Sequence, residues 1–162
     1  MNELDELKKG NLYPFSHWPH STVPLAAAGV YSIWNNDGVL VYVGMSGRGM
    51  SNEHLTQSGT EGRKRGLYTR LNSHASGARS GDQFCVYIAD RLVLPTLTQD
   101  QINAISQRMI AFDHLVRDYI RANLSFRFAI THDGEAAISL ESEARSGALG
   151  SLPFLNPLKV NL

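Results

Sequence analysis

Apolar and polar residues change rhythm several times along the chain, and each rhythm predicts a different element. Residues 1–24 have no rhythm. Pro14, Pro19 and Pro24 interrupt any periodicity, so an irregular arm is expected, packed on the body through Phe15, Trp18 and Val23. Two runs rich in β-branched and aromatic residues follow, Gly29-Val30-Tyr31-Ser32-Ile33-Trp34 and Val39-Leu40-Val41-Tyr42-Val43-Gly44. Asn35-Asn36-Asp37-Gly38 between them tolerate the positive φ of hairpin turns, which predicts a β-hairpin.

The Gly- and Ser-rich stretch from Met45 to Thr60 is expected to be a long loop. A helix is expected from about Glu61 to Ala78, with Leu67, Leu71, Ala75 and Ala78 on one face. The run Gln83 to Ala89 predicts a third strand. From Thr98 to about Asn123, Ile102, Ile105, Met109, Phe112, Val116 and Tyr119 recur at helical spacing, and Thr98 with Gln101 forms a capping-box signature at the start. Phe126 to Thr131 alternates as a fourth strand. Gly134 to about Ser146 is expected to be a last helix, and the Gly/Pro-punctuated tail from Gly147 to Leu162 is expected to be irregular. The class is therefore α+β: one small, mainly antiparallel sheet, the hairpin plus one or two further strands, flanked by three helices in a single domain spanning residues 1–162.

Composition narrows the function without fixing it. A chain of 162 residues with 43% apolar and 19% charged residues fits one globular domain. Its single cysteine, Cys85, excludes an internal disulfide framework and a zinc site built on several thiolates. Within the apolar run Phe84 to Ile88, that thiol is expected to be buried and inert. No apolar stretch approaches the roughly 20 residues of a membrane span. Met1 to Gly10 is charged and polar, unlike a secretory leader, so a cytoplasmic location is the default expectation. A net charge of zero argues against a protein that coats nucleic acid non-specifically. Between Met45 and Ser80, however, Arg48, Arg63, Lys64, Arg65, Arg70 and Arg79 face only Glu53 and Glu61. This basic stretch is a candidate nucleic-acid contact or simply a solvated loop.

Several positions then acquire chemical meaning. If the hairpin turn centres between Asn36 and Asp37, Tyr31 lies directly opposite Tyr42; if between Asp37 and Gly38, the two are diagonal neighbours. Either way, and without a bulge, both hydroxyls share a face. Arg70 and His74, four residues apart, stack beside the apolar stripe of the first predicted helix, and the arginine fork suits a phosphate. On the last helix, Ala137, Leu140, Ala144 and Ala148 form the apolar stripe. Glu141 falls inside it, while Glu143 points to solvent. A carboxylate on a core-facing stripe is costly unless it is paired or binds a cation, so Glu141 is the candidate metal ligand. Asn156, in Pro153-Phe154-Leu155-Asn156-Pro157, could bond a phosphate or orient a neighbour. Gly44-Met45-Ser46-Gly47-Arg48-Gly49 lacks the Lys-Ser/Thr of a nucleotide-binding loop, leaving a substrate-contacting loop or a plain connection. His17 and His20 make a poor metal site because no third ligand lies near them.

Gly29-Val30-Tyr31, Tyr42-Val43-Gly44, Arg70 on the following helix, Leu140-Glu141 on a later one and Pro153-x-x-Asn156 resemble the GIY-YIG nuclease superfamily in order and spacing, from about Gly29 to Asn156. The Arg70/His74 pair resembles its restriction-enzyme branch. Residues from about Arg91 to Leu124 look like a helical insertion (91–124) relative to the minimal family domain, and the segment from Glu141 to Asn156 is longer than the family usually shows. The resemblance implies a metal-dependent endonuclease that hydrolyses phosphodiester bonds in nucleic acid, with DNA favoured over RNA and the choice between them left open by the sequence. It implies one Mg²⁺ or Mn²⁺ held mainly by Glu141 and catalytic roles for Tyr31, Tyr42, Arg70, His74, Glu141 and Asn156. Tyr31 would be the general base, assisted by the cation and Arg70, or would orient the attacking water, and Tyr42 and His74 would position the water and arginine or share proton transfer. Arg48, Arg63, Lys64 and Arg65 would contact nucleic acid. Cutting both strands with one such site would require a homodimer or two sequential nicks. The alternatives are an inactive nucleic-acid-binding module on the same scaffold and a protein-interaction domain in which the tyrosines merely pack.

Overall fold

The computed structural model describes residues 1–157 of the chain. The N-terminal segment is less irregular than its prolines suggest. Asn2 caps helix α1 (Glu3–Lys9) by accepting the Asp5 amide at 2.8 Å, and acidic residues fill the first turn with lysines in the last, as the helix dipole favours. A short strand β1 (Tyr13–Pro14) and a 3₁₀ turn (Phe15–His17) follow. Phe15, Trp18 and Val23 are buried as expected, and Trp18 donates its indole N–H to Asn72.

After β2 (Ala26–Ala27), the hairpin β3 (Gly29–Asn35) and β4 (Leu40–Ser46) forms as predicted. Asn35 Oδ1 accepts the Asp37 and Val39 amides, and Gly38 takes φ 76°, the left-handed geometry this turn requires. Tyr31 pairs with Gly44 and Ile33 with Tyr42, so the two tyrosines are diagonal on one face. The register shifts only beyond them, between Ile33 and Trp34. Helix α2 (Asn52–Thr60), capped by Ser51, occupies the stretch expected to be a loop. Strand β5 (Arg65–Gly66) pairs in parallel with β2 and opens α3 (Leu67–Ser76), a shorter helix than the pattern predicts.

The predicted third strand is a helix, α4 (Gln83–Ile88). Phe84 with Ile88, and Cys85 with Ala89, are buried pairs four apart, a helical period hidden inside a run of strand-favouring residues. The predicted long helix is broken in two, α5 (Gln99–Ser106) and α6 (Phe112–Asn123). The capping box of Thr98 and Gln101 is present, but Arg108 enters the left-handed region at φ 58° and Met109 bonds back to Ala104, ending α5 without a glycine or proline. Strand β6 (Leu124–Ile130) and helix α7 (Gly134–Glu143) complete the chain's regular structure, with a wider helical turn continuing through Ala148.

The main sheet has the order β1-β6-β3-β4 and is antiparallel throughout. The protein is thus α+β, with seven α-helices rather than three among the described residues. Side-chain alternation splits the core into two layers. Val30, Trp34, Leu40, Val43 and Ala129 pack with Leu7 of α1 and with Ala137 and Ala144 of α7 and its extension. Tyr31, Ile33 and Phe126 pack with Leu67, Leu71 and Ala75 of α3, with Phe84 and Ile88 of α4, and with Val116 and Ile120 of α6. No helix among the described residues is long and apolar enough to cross a membrane.

Candidate active site

Beside β4, a cleft of about 290 Å³ is lined by Tyr31, Tyr42, Gly44, Met45, Arg48, Arg70, His74, Asp82, Gln83, Phe84, Glu141 and Arg145. Five of the six residues expected to carry chemistry are therefore neighbours, although they come from the hairpin, α3 and α7. The diagonal register sets the tyrosine rings 6.4 Å apart between centroids. Gly44 is what allows this arrangement. A Cβ there would overlap the Tyr31 hydroxyl and stand 2.6 Å from its Cζ, so the phenol occupies the space a side chain would fill.

Tyr31 and His74 are each 2% exposed. The Tyr31 hydroxyl is 2.7 Å from His74 Nε2, and His74 Nδ1 is 2.7 Å from Asp82 Oδ2. Ser73 donates its hydroxyl to the same carboxylate oxygen at 2.8 Å, and the Cys85 amide donates to Oδ1 at 3.3 Å. Phe84 lies 4.5 Å from the imidazole and 5.1 Å from the Tyr42 ring, sealing the assembly from the α4 side. Burial pushes the His74 imidazole down, and the raising influence of Asp82 does not offset it. Burial alone would push the Asp82 carboxyl up, but the bonds from His74, Ser73 and the Cys85 amide hold it below the usual carboxylate range. The pair at neutral pH is thus a neutral imidazole and a carboxylate.

Burial, followed by the neighbouring Tyr42, pushes Tyr31 well above the usual phenol range, and Arg70 only partly opposes this. The expected help from Arg70 therefore does not bring Tyr31 near neutrality, because desolvation dominates. Burial and Glu141 push Tyr42 up to about 12.

Glu141 is half-buried on the stripe side of α7, and Glu143 is exposed, as the helical pattern requires. Among the described residues the nearest cation to Glu141 is Arg145 at 3.8 Å, beyond hydrogen-bond reach. Burial raises the Glu141 carboxyl, opposed by Arg145 and then Arg48. Its negative charge is therefore only partly compensated. No group of three or more His, Cys, Asp or Glu side chains gathers as a metal cage among the described residues. One under-compensated carboxylate facing an open polar cleft suits a hydrated Mg²⁺ or Mn²⁺, which retains much of its water, and does not suit a zinc cage.

Asn156 does not line this cleft but lines an adjoining one together with Glu141 and Arg145. Its side chain accepts the Val43 amide and donates to the Val43 carbonyl, both at 2.8 Å. Both ends of the amide hold the strand between Tyr42 and Gly44, a neighbour-orienting role that leaves one N–H of the amide for another acceptor. Among the basic candidates, Arg48 lines the cleft. Arg63 pairs with Glu61 at 2.9 Å, Lys64 sits 5.0 Å over the Tyr68 ring, and Arg65 is exposed on β5; all three lie outside the cleft lining. The His17 and His20 rings are 6.3 Å apart, and His20 contacts the Pro14 carbonyl.

Asp82 and Arg145 were not anticipated. Gly81-Asp82 before an apolar run is a helix N-cap signature, and recognising α4 would have aimed the Asp82 side chain back toward α3. Arg145 lies four residues beyond Glu141, a spacing that predicts contact on a helix. No protein-family model matches the chain, and neither a curated protein nor a solved structure matches it.

Proposed function

We propose that the cleft hydrolyses phosphodiester bonds in nucleic acid, with DNA favoured over RNA, in the manner of the GIY-YIG nucleases the sequence resembles. The observation that carries this reading is the gathering of two phenols, an imidazole, a guanidinium and an under-compensated carboxylate around one cleft. Each group has a task in attacking a phosphodiester. Tyr31 is the general base toward the attacking water. His74 Nε2, 2.7 Å away, is placed to take the phenolic proton as the phenol oxygen takes one from water, so that no free phenolate has to build up. Tyr42, diagonal to it, orients that water. Arg70, exposed at the rim, presents its fork to the phosphate, where it offsets the charge that builds up in the transition state. Arg48 adds a second positive group at the mouth, and Arg145 a third.

Glu141 would hold a single Mg²⁺ or Mn²⁺; such an ion supplies Lewis-acid polarisation of the phosphate and stabilises the leaving oxygen. The exposed Arg63, Lys64 and Arg65 would act outside the cleft, as non-specific contacts to phosphates further along the strand.

The test is cleavage of a panel of labelled duplex, branched and single-stranded DNA and RNA with Mg²⁺, beside Glu141→Ala and Arg70→Ala. Each substitution is expected to lower the rate on the order of 10²–10³-fold, the scale of a preorganised electrostatic contact. Salt-dependent binding without cleavage would assign the chain to the inactive binding modules. Neither binding nor cleavage would leave the nuclease reading without support.

A further inference from the structure

We infer that Asp82 is a positioning residue of this cleft: its carboxylate fixes which nitrogen of His74 carries the proton, and thereby the direction in which the Tyr31 hydroxyl points its hydrogen. This inference rests on the phosphodiesterase reading above and deepens it.

The argument follows from counting donors and acceptors. An ionised carboxylate only accepts. Asp82 Oδ2 stands 2.7 Å from His74 Nδ1, so that nitrogen must carry the hydrogen. A neutral imidazole has one N–H, which leaves Nε2 with a lone pair. The 2.7 Å contact between Nε2 and the Tyr31 oxygen is then a bond donated by the phenol. With its hydrogen turned inward, the phenol oxygen presents lone pairs to the cleft, where a water can donate to it. In the opposite tautomer, Nε2–H would donate to the phenol oxygen and the phenol hydrogen would turn outward. The same residues would then offer water a donor where a base is needed. Asp82 selects between the two arrangements without touching substrate.

Its surroundings suit that task. The Asp82 side chain is 1% exposed, and a buried carboxylate is costly unless fully bonded. Ser73 and the Cys85 amide occupy two more of its roughly four acceptor sites. Capping α4 alone would not require a charge, since asparagine caps helices as well as aspartate. Asparagine could not replace it here. One end of an amide accepts and the other donates, so in Asp82→Asn the new NH₂ would face either the Cys85 N–H or the Ser73 and His74 donors.

During the reaction, the Tyr31 O–H bond breaks and its proton goes to His74 Nε2, giving an imidazolium that still donates Nδ1–H to Asp82. The phenolate oxygen takes a proton from water as the water oxygen bonds to phosphorus and the ester oxygen leaves with the electron pair of its P–O bond. The imidazolium returns its Nε2 proton to the Tyr31 oxygen as the tyrosine releases to the cleft the proton it took from water, which matches the proton the leaving oxygen takes up. Asp82 stays ionised throughout.

The experiment combines ¹⁵N NMR of the His74 ring with steady-state cleavage in Mg²⁺, for the wild-type chain and Asp82→Asn. The wild-type ring is expected to be neutral with the proton on Nδ1. In Asp82→Asn, the Nε2–H tautomer should appear and kcat should fall on the order of 10²-fold or more with KM little changed, as when a general base is turned to the wrong tautomer. Three results would overturn the inference: a wild-type ring protonated on Nε2, a folded variant cleaving at the wild-type rate, or a lost rate with the tautomer unchanged. The wild-type spectrum decides the matter if the variant does not fold. A wild-type chain that cleaves nothing fails at an earlier step and refutes the nuclease reading itself.

Discussion

Gly44→Ala is a small change with a large expected effect, and its size can be worked from the contacts around the Tyr31 ring. Backbone preference points the other way. Gly44 lies in a strand at negative φ, where replacing glycine with alanine ordinarily stabilises by about 0.4–1 kcal/mol through the unfolded state. The new methyl, however, would sit 2.6 Å from Tyr31 Cζ and 3.0 Å from Tyr42 Cε1, against an ordinary contact distance of 3.4 Å or more. The Tyr31 ring must retreat by roughly 1 Å, which a close-packed core resists at a typical cost of 1–3 kcal/mol. Its bond to His74, 2.7 Å long, does not survive such a shift, adding about 0.5–1.5 kcal/mol.

The net expectation is a loss of about 2 kcal/mol in urea unfolding, together with a fall in cleavage rate on the order of 10²-fold, the scale of a 1 Å misplacement of a catalytic group. In a Tyr31→Phe background the hydroxyl is already gone, so adding Gly44→Ala should cost about 1 kcal/mol less than it does in the wild type. If Gly44→Ala were as stable and as active as the wild type, Tyr31 could not occupy the space above residue 44, and the geometry of the cleft would be wrong.

Two further outcomes follow from other parts of the site. Asn156→Leu removes both bonds to Val43 and should destabilise by about 1–3 kcal/mol, with faster hydrogen exchange of the Val43 amide; unchanged exchange would refute the pinning role. Because burial lowers the His74 pKa in the folded state, the unfolded chain binds that proton more readily, so the contribution is intact above the unfolded value near 6.5 and is lost as pH falls below it. Urea midpoints should therefore drop on acidification from about pH 6.5, with a slope of at most about 1.4 kcal/mol per pH unit from this group, and His74→Gln should flatten the trend; equal slopes in the two proteins would sink this assignment. Asp82, held low by its bonds, adds its own loss only at more acid pH, below about 3.8.

What could be read from the chain divides along a physical line. The hairpin, its turn, the shared face of Tyr31 and Tyr42, and the contrast between Glu141 and Glu143 all depend on local periodicity, which a sequence displays directly. The elements that escaped are those decided elsewhere. Phe84 to Ile88 prefer strand as isolated residues, yet they form a helix because both Phe84 and Ile88 must reach the core over β3 and Asp82 caps the turn. The break at Arg108 carries no glycine or proline to announce it. It arises where α5, which has no buried residue, gives way to α6, which buries Val116 and Ile120. Asp82 joins the cleft only through α4, so mistaking that helix for a strand concealed the residue as well. Asn156 was placed near the site by its motif, but its long separation from Val43 left its bonding partner unreadable.

The tail bonded to β4 also decides how two copies of this chain could meet. The Phe154 and Leu155 amides donate to Leu40 and Val41, and Asn156 occupies both backbone groups of Val43, so the outer rim of the hairpin is already paired along that stretch. At the far rim, β1 is two residues long and one of them is Pro14, which has no amide hydrogen to offer. Those stretches of the two rims are thus not free to recruit a strand from a second molecule. If the chain is the proposed nuclease, two copies cutting a duplex would not join through those stretches, and each hairpin would keep its two phenols within one chain.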